Sequence, residues 1–321
     1  MHVSTPNERQ RKSTVELILD TKQRLFIQFP SGASVHLRSA AFIHRIKMQS
    51  NKSDLVAPVS KDLGRALCVI TGASRGFGRC LAVQIAGLLK PKSALLLVAR
   101  SGDKLRELQA DLTDSDAGRE GLVIRCVTAD LGQKEAVEET VRAAKEMCPV
   151  GIDRLILINN AASLGDVSRF ARSFTDPADI DSYLSFNVSS ALSLTAGMMG
   201  AFPKRPGMRR CVVNISSVCA VRPYPSWVLY CTGKAARDMM FRVLAEEEPE
   251  LRVLNYSPGP LDTEMFEEAQ TKTGDLAMRT SFSAMHSQGK VLTCEESGTK
   301  LMKLLLEDVF ASGAHIDFYD L

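Results

Sequence analysis

Tyr230 and Lys234 stand four residues apart in the run Tyr230-Cys231-Thr232-Gly233-Lys234, a spacing that puts both on one face of a helix. Ser217 precedes Tyr230 by thirteen positions, just after the apolar run Cys211-Val212-Val213-Asn214-Ile215. These residue types suit proton delivery to a carbonyl oxygen. A phenol has an ordinary pKa of about 10, and a nearby ammonium favours the phenolate, so Lys234 is expected to lower the pKa of Tyr230 into a useful range. The Ser217 hydroxyl can bond the oxygen as negative charge develops on it. Asn187, in Phe186-Asn187-Val188, is a candidate to hold a water that resupplies the proton. Taken singly, each has a bland role: Tyr230 as a core aromatic, Lys234 on a solvated helix face, Ser217 in a turn, Asn187 as a local cap.

A second group suits phosphate. Thr71-Gly72-Ala73-Ser74-Arg75-Gly76-Phe77-Gly78 follows an apolar run and opens a helical one. In that context glycines let the backbone approach a pyrophosphate, and the free amides of the helix start attract its charge. The expected contacts are Gly72, Ser74, Arg75, Gly76, Phe77 and Gly78. An acid at the end of the second strand would select a ribose 2′-hydroxyl, but Ala99-Arg100 stands there. Arg100 with Arg75 therefore favours a 2′-phosphate, and NADPH/NADP+ is the expected cofactor; the alternative is two solvated arginines. In Ala129-Asp130-Leu131, Asp130 could hold an adenine amino group or cap the next helix, and Leu131 lies beside it.

The elements that must position these groups are legible as an alternation. Strands are predicted over 66–71, 94–99, 122–129, 154–159, 211–215, 252–256 and 315–318, with helices between them. After the glycine turn, Phe77, Leu81, Ile85 and Leu88 recur at helical spacing, so one face of that helix packs on the sheet. The expected fold class is α/β: a Rossmann-type doubly wound parallel sheet of about seven strands flanked by helices, in a single domain over 63–321. Strand ends on the carboxyl side border the ligand crevice of such a sheet, which would bring Ser217, Tyr230 and Lys234 together. Residues 1–62 show no firm period and are expected to form a poorly ordered basic extension.

Composition limits the rest. The 321 residues carry a formal net charge of +3. Residues 1–48 hold eight Lys/Arg against three Asp/Glu, leaving −2 for the remainder. A near-neutral body speaks against a nucleic-acid surface. The eight cysteines show no C-x-x-C pair or metal-ligand spacing, so free thiols and no metal are expected. No apolar run approaches the length of a spanning helix, and the first residues lack a secretory core, so a soluble cytoplasmic protein without membrane association is expected.

Taken in order, Thr71 to Gly78, Asn159-Asn160-Ala161, Asn187, Ser217, Tyr230, Lys234 and Pro258-Gly259 resemble the short-chain dehydrogenases/reductases, over about Arg65 to the C-terminus. The resemblance implies that Asn160 lies beside the cofactor, that Lys234 also contacts it, and that Thr263 holds its carboxamide. Ala162 departs from the family pattern, which usually has glycine there, and adds a Cβ beside the cofactor strand. Ser163 to Ser168, Gly233 to Met239, Pro258 to Thr263 and Ser312 to Asp320 resemble a pterin-reducing branch of that family. That likeness implies NADPH-dependent reduction of pterin side-chain carbonyls, the last step of tetrahydrobiopterin synthesis, in a cytoplasmic homodimer. It also implies substrate contacts from Ser217, Tyr230 and Gly259, with Asp317 anchoring the pterin, whose amino group and ring N–H present two parallel donors. Two alternatives stay open: a broader reductase of diketones and quinones, and an NADP(H)-binding regulator without chemistry.

Overall fold

The computed structural model describes residues 16–19, 25–28, 34–37 and 61–321. The chain divides into two compact units, 1–58 and 59–321. In the first, strands β1 (Glu16–Leu19), β2 (Leu25–Gln28) and β3 (Ser34–Leu37) pair antiparallel in that order. Four-residue strands are too short to raise a period above the scatter of a mixed sequence. The rest of the expected disordered stretch falls outside the described residues.

The second unit is built on one seven-stranded sheet. Its strands are β4 (Ala66–Thr71), β5 (Ala94–Ala99), β6 (Val123–Thr128), β7 (Arg154–Asn159), β8 (Arg209–Ile215), β9 (Leu251–Ser257) and β10 (Ala314–Asp317). They lie in the order β10-β9-β8-β7-β4-β5-β6 and every neighbouring pair is parallel. Along β4, Cys68 and Ile70 enter one core cluster while Leu67 and Val69 enter the other. That alternation explains why the strand reads as an unbroken apolar run: both faces are covered.

On one face, α1 (Gly76–Ala86) packs against α10 (Cys294–Glu307), joining Leu81 and Ile85 to Leu301 and Leu305. α2 (Gly102–Thr113) contributes Leu105, Leu108 and Leu112 to the same side, and a short α3 (Asp116–Arg119) follows it. The other face carries α4 (Lys134–Met147), α6 (Ser190–Ala201) and α7 (Val228–Glu247). α5 (Pro177–Leu184) runs through a π-helical turn, Ser185–Ser189, into α6. α8 (Glu264–Lys272) and α9 (Leu276–Ser287) form a separate pair after β9. The chain leaves β4 towards β5 and β6, then returns to the other side of β4 for β7. The carboxyl ends of β4 and β7 therefore flank the switch point where such sheets hold ligands.

Candidate active site

The glycine turn links β4 to α1. Gly72 and Gly76 take left-handed φ values of +67° and +51°, which glycine adopts without steric cost. A Cβ on Gly78 would lie 2.2 Å from the Gly72 carbonyl oxygen, so only a bare backbone fits. Asn160 braces the turn, its Nδ2 donating to the carbonyls of Thr71 (2.9 Å) and Gly72 (3.2 Å). The Thr71 hydroxyl accepts from the backbone amides of Asn160 and Ala161, each at 3.0 Å. No side chain caps the start of α1 and its first turn holds no acid, so the amides there remain available to an anion. A bare, braced backbone and an uncapped helix start fit a dinucleotide pyrophosphate.

Further out, Arg100 is exposed, with its guanidinium 5.6 Å from the centroid of the Phe186 ring. Arg75 pairs with Glu264, and Lys104 Nζ reaches the same carboxylate at 3.7 Å. Lys104 adds a third cation that the sequence reading did not single out. Asp130 goes the other way. It is exposed, its carboxylate accepts from the Gly132 amide at 3.0 Å within its own turn, and it does not line the cleft that Leu131 lines. Its carboxylate thus serves its own turn, as a short acidic side chain satisfies a nearby free amide. Ala162 lines the cleft without a left-handed backbone, so its methyl group costs nothing conformationally.

Ser217, Tyr230 and Lys234 converge on the same cleft, a cavity of about 1000 Å³ that also takes in Gly72, Ser74, Arg75, Gly76, Phe77, Gly78, Arg100, Asn160, Gly259, Thr263 and Asp317. Ser217 follows β8 and caps a 3-10 turn, its hydroxyl accepting from the Cys219 amide at 3.1 Å. Tyr230 lies in the first turn of α7 and is 8% exposed. Its ring meets Trp227 edge-on at 5.3 Å, and Trp227 stacks on Phe282 at 5.4 Å, forming an aromatic wall. Burial drives the Tyr230 phenol above its ordinary pKa, opposed by the Ser217 hydroxyl and the Arg237 charge.

Burial thus opposes the lowering expected from Lys234, which is itself buried. Lys234 Nζ donates to the Ile215 carbonyl at 2.7 Å and lies 5.5 Å from the Tyr230 ring centroid. Loss of solvent, reinforced by the Arg237 charge and opposed by Asp238, lowers its pKa to about 7. A lysine so placed is half-neutral near neutral pH and exchanges protons readily.

Asn187 sits in the π-helical turn, 3% exposed, with its side chain fully engaged. Its Oδ1 accepts from the Ser163 amide at 2.8 Å, while Nδ2 donates to the Ser163 hydroxyl at 3.1 Å and the Tyr183 carbonyl at 3.0 Å. The side chain therefore fixes the loop after β7. Single π turns cluster at functional sites, and this one forms beside the cleft.

Asp317 ends β10. Its Oδ2 accepts from the Ser257 hydroxyl at 2.5 Å and its Oδ1 from the Tyr319 amide at 3.0 Å. The carboxylate is thus held from two sides while lining the cleft. Thr263 caps α8 through the Phe266 amide at 3.4 Å, and Gly259 has φ +78° with its would-be Cβ 2.8 Å from Leu292.

Sequence reasoning missed the buried polar layer behind these groups. Arg237 is 1% exposed and donates to Asn214 Oδ1 at 2.8 Å, to the Ala161 carbonyl at 3.0 Å and to the Asn159 carbonyl. Asp238 accepts from Ser216, Asn214 and His315. The available signal was the charged pair Arg237-Asp238, one turn after Lys234 on a helix between two predicted strands.

Comparison with known proteins agrees with this geometry. A family model described as short chain dehydrogenase matches residues 66–274. Sepiapterin reductase of Meriones unguiculatus is 50% identical over 262 residues, covering 81% of this chain and 99% of the relative. Sepiapterin reductase of Xenopus laevis is 50% identical over 260 residues, covering 80% and 97%. Among solved structures, a short chain dehydrogenase/reductase from Saccharomyces cerevisiae superposes with a TM-score of 0.68 at 25% identity, covering 80% of this chain and 97% of that one.

Proposed function

Given that the chain belongs to the short-chain dehydrogenase family, we propose that it is an NADPH-dependent reductase of side-chain carbonyls on a pterin, acting at the end of tetrahydrobiopterin synthesis. The observation that carries this reading is the convergence, in one cleft, of Ser217, Tyr230 and Lys234 with a backbone cradle for a dinucleotide and a braced carboxylate, Asp317. Relatives covered over 99% and 97% of their own length bear the name sepiapterin reductase.

NADPH, when bound, supplies hydride to the carbonyl carbon. The protein's own groups do the rest. Gly72, Ser74, Gly76, Phe77 and Gly78 cradle the pyrophosphate, with Leu131, Asn160 and Thr263 lining the groove beyond it. Arg75 and Arg100 receive the 2′-phosphate. Tyr230 gives its proton to the substrate oxygen, and Ser217 donates a hydrogen bond that aligns that oxygen as charge builds on it. Because burial holds the phenol protonated, Tyr230 meets the substrate as an acid rather than as a phenolate. Lys234, with its lowered pKa, is suited to returning a proton to Tyr230 after each turnover. Asn187 holds Ser163 and, through it, the wall of the cleft. Asp317 accepts the two parallel donors of the pterin ring, with Gly259 beside it, and so sets how far the side-chain carbonyl reaches towards Tyr230.

Self-association as a homodimer in the cytoplasm completes the reading. Leu192 on α6 and Met239 and Val243 on α7 are 49%, 55% and 45% exposed, an apolar face suited to a second copy. Among the described residues no helix is long and apolar enough to cross a membrane.

The test is NADPH oxidation with sepiapterin, against NADH and against a small diketone. Turnover with NADPH and a preference for sepiapterin are expected. Tyr230→Phe should cut kcat by at least about 100-fold while leaving the Kd for NADPH within about threefold. Unchanged turnover in that variant, or no activity on sepiapterin in the parent enzyme, would overturn the reading.

A further inference from the structure

Tyr230, Lys234 and Asp238 follow one another at intervals of four along α7, so they share a face of the helix. His315 and Asp317 are two apart on β10 and so project from the same side of that strand. The two rows meet at one polar contact. His315 Nδ1 lies 2.5 Å from Asp238 Oδ2, with the side chains 19% and 9% exposed. The other Asp238 oxygen is already occupied by the Ser216 hydroxyl at 2.5 Å and Asn214 Nδ2 at 3.1 Å. The acid that receives His315 is therefore locked to the end of β8, next to Ser217.

β10 needs such a tie. It is an edge strand of four residues, paired on one side only, with β9. Short edge strands open locally at low cost. Ser257 holds the Asp317 carboxylate to β9, and Lys300 Nζ donates to the Phe318 carbonyl at 2.9 Å beyond it. Neither fixes β10 relative to the helix that carries the reacting groups. Among the described residues, the His315–Asp238 pair is the hydrogen bond that joins β10 to α7.

We propose that His315 is a positioning residue for the substrate: its ion pair with Asp238 fixes the distance between the anchoring carboxylate of Asp317 and the Tyr230 hydroxyl. This rests on the proposed role of Asp317 as the pterin anchor. The groups facing the imidazole are Asp238 from α7, Asp317 on its own strand and Asp320 on the following turn, while the residue opposite on β9 is the neutral Asn255. All three acids favour the imidazolium, the hydrogen bond to Asp238 most strongly, and raise its pKa above the ordinary value. The ion pair holds while the imidazole is protonated and the carboxylate ionised, and is lost as pH rises through that raised pKa. Substrate affinity follows the same course.

Steady-state kinetics of the full chain with sepiapterin and with a small diketone test this. His315→Ala should raise the sepiapterin KM about tenfold, the loss expected of a hydrogen bond between charged groups, with kcat, the NADPH KM and the diketone kcat/KM within about twofold. His315→Asn places an amide N–H where Nδ1 stands and should recover most of the loss, but without the rise in KM expected of the parent as pH climbs past the ordinary imidazole range. Asp317→Ala should raise the sepiapterin KM at least as much, and adding His315→Ala to it should change little further. An unmoved sepiapterin KM in His315→Ala, equal losses on both substrates, or no recovery in His315→Asn overturns the proposal. A raised KM in Asp317→Ala with none in His315→Ala refutes the role of His315 alone. An unmoved KM in Asp317→Ala removes the anchor and the role of His315 with it.

Discussion

Replacing Lys234 by methionine should destroy the activity and stabilise the fold. The ammonium is buried, and its pKa falls from 10.5 to about 7. That fall corresponds to roughly 4 to 5 kcal/mol of preference for the neutral form. Because the folded pKa is depressed, the unfolded chain binds this proton more tightly between about pH 7 and 10.5. The penalty is therefore full below about pH 7 and fades as pH rises to 10.5. Methionine keeps an apolar stem of similar length and removes the charge. It also removes the 2.7 Å bond to the Ile215 carbonyl, and an orphaned buried carbonyl costs about 1 to 3 kcal/mol. The balance at pH 7 is a gain of about 2 kcal/mol, or a Tm higher by about 4 to 8 °C for a unit of this size. Thermal unfolding of the cofactor-free protein, run at about pH 7 and again at about pH 10, measures it. The gain should shrink or vanish at the higher pH, and turnover at pH 7 should drop by at least about 100-fold. A methionine variant that melts below the parent at pH 7, or a difference independent of pH, refutes the burial penalty. Retained turnover refutes the role of the amine.

Gly78→Ala would drive a Cβ to 2.2 Å from the Gly72 carbonyl and 2.5 Å from Asn160 Nδ2. Binding of NADPH, followed by its fluorescence, should weaken at least about tenfold. Gly200→Ala, with nothing within 4 Å of the added methyl, is the control and should leave it unchanged. The Cys231 thiol, next in sequence to the catalytic tyrosine, is held below the ordinary thiol range by its coupling to Cys219. Its rate of alkylation by iodoacetamide should reach half-maximum below the ordinary thiol midpoint and shift upward in Cys219→Ala. A midpoint near the ordinary thiol value in the parent would show that the two thiols do not interact.

What could be read from the sequence was what is local along the chain. The runs 66–71, 94–99 and 154–159 coincide with β4, β5 and β7, because a strand covered on both faces has to be continuously apolar. β8 begins earlier than the apolar run suggests, at Arg209. Arg210 is buried there and paired with Glu248 at 3.0 Å, a long-range partner that no window of sequence displays. The Tyr230–Lys234 pair and the glycine turn were legible for the same reason as β4: their spacing is fixed by the geometry of a single element.

The burial of the Tyr230–Lys234 pair was not legible, and the cause is general. Pairing a phenol with an ammonium four residues away assumes that both are solvated enough for the ammonium to keep its charge. The helix instead turns that face into the sheet, so desolvation acts on both groups and opposes charge on each. A phenol held protonated and an amine held close to neutrality make a proton donor with a ready source behind it. An exposed pair at the same spacing would hold a neutral phenol beside a permanently charged ammonium, with little capacity to pass a proton between them. The sequence interval places the residues on one helix face, and the sheet beneath that face decides which of these pairs they become.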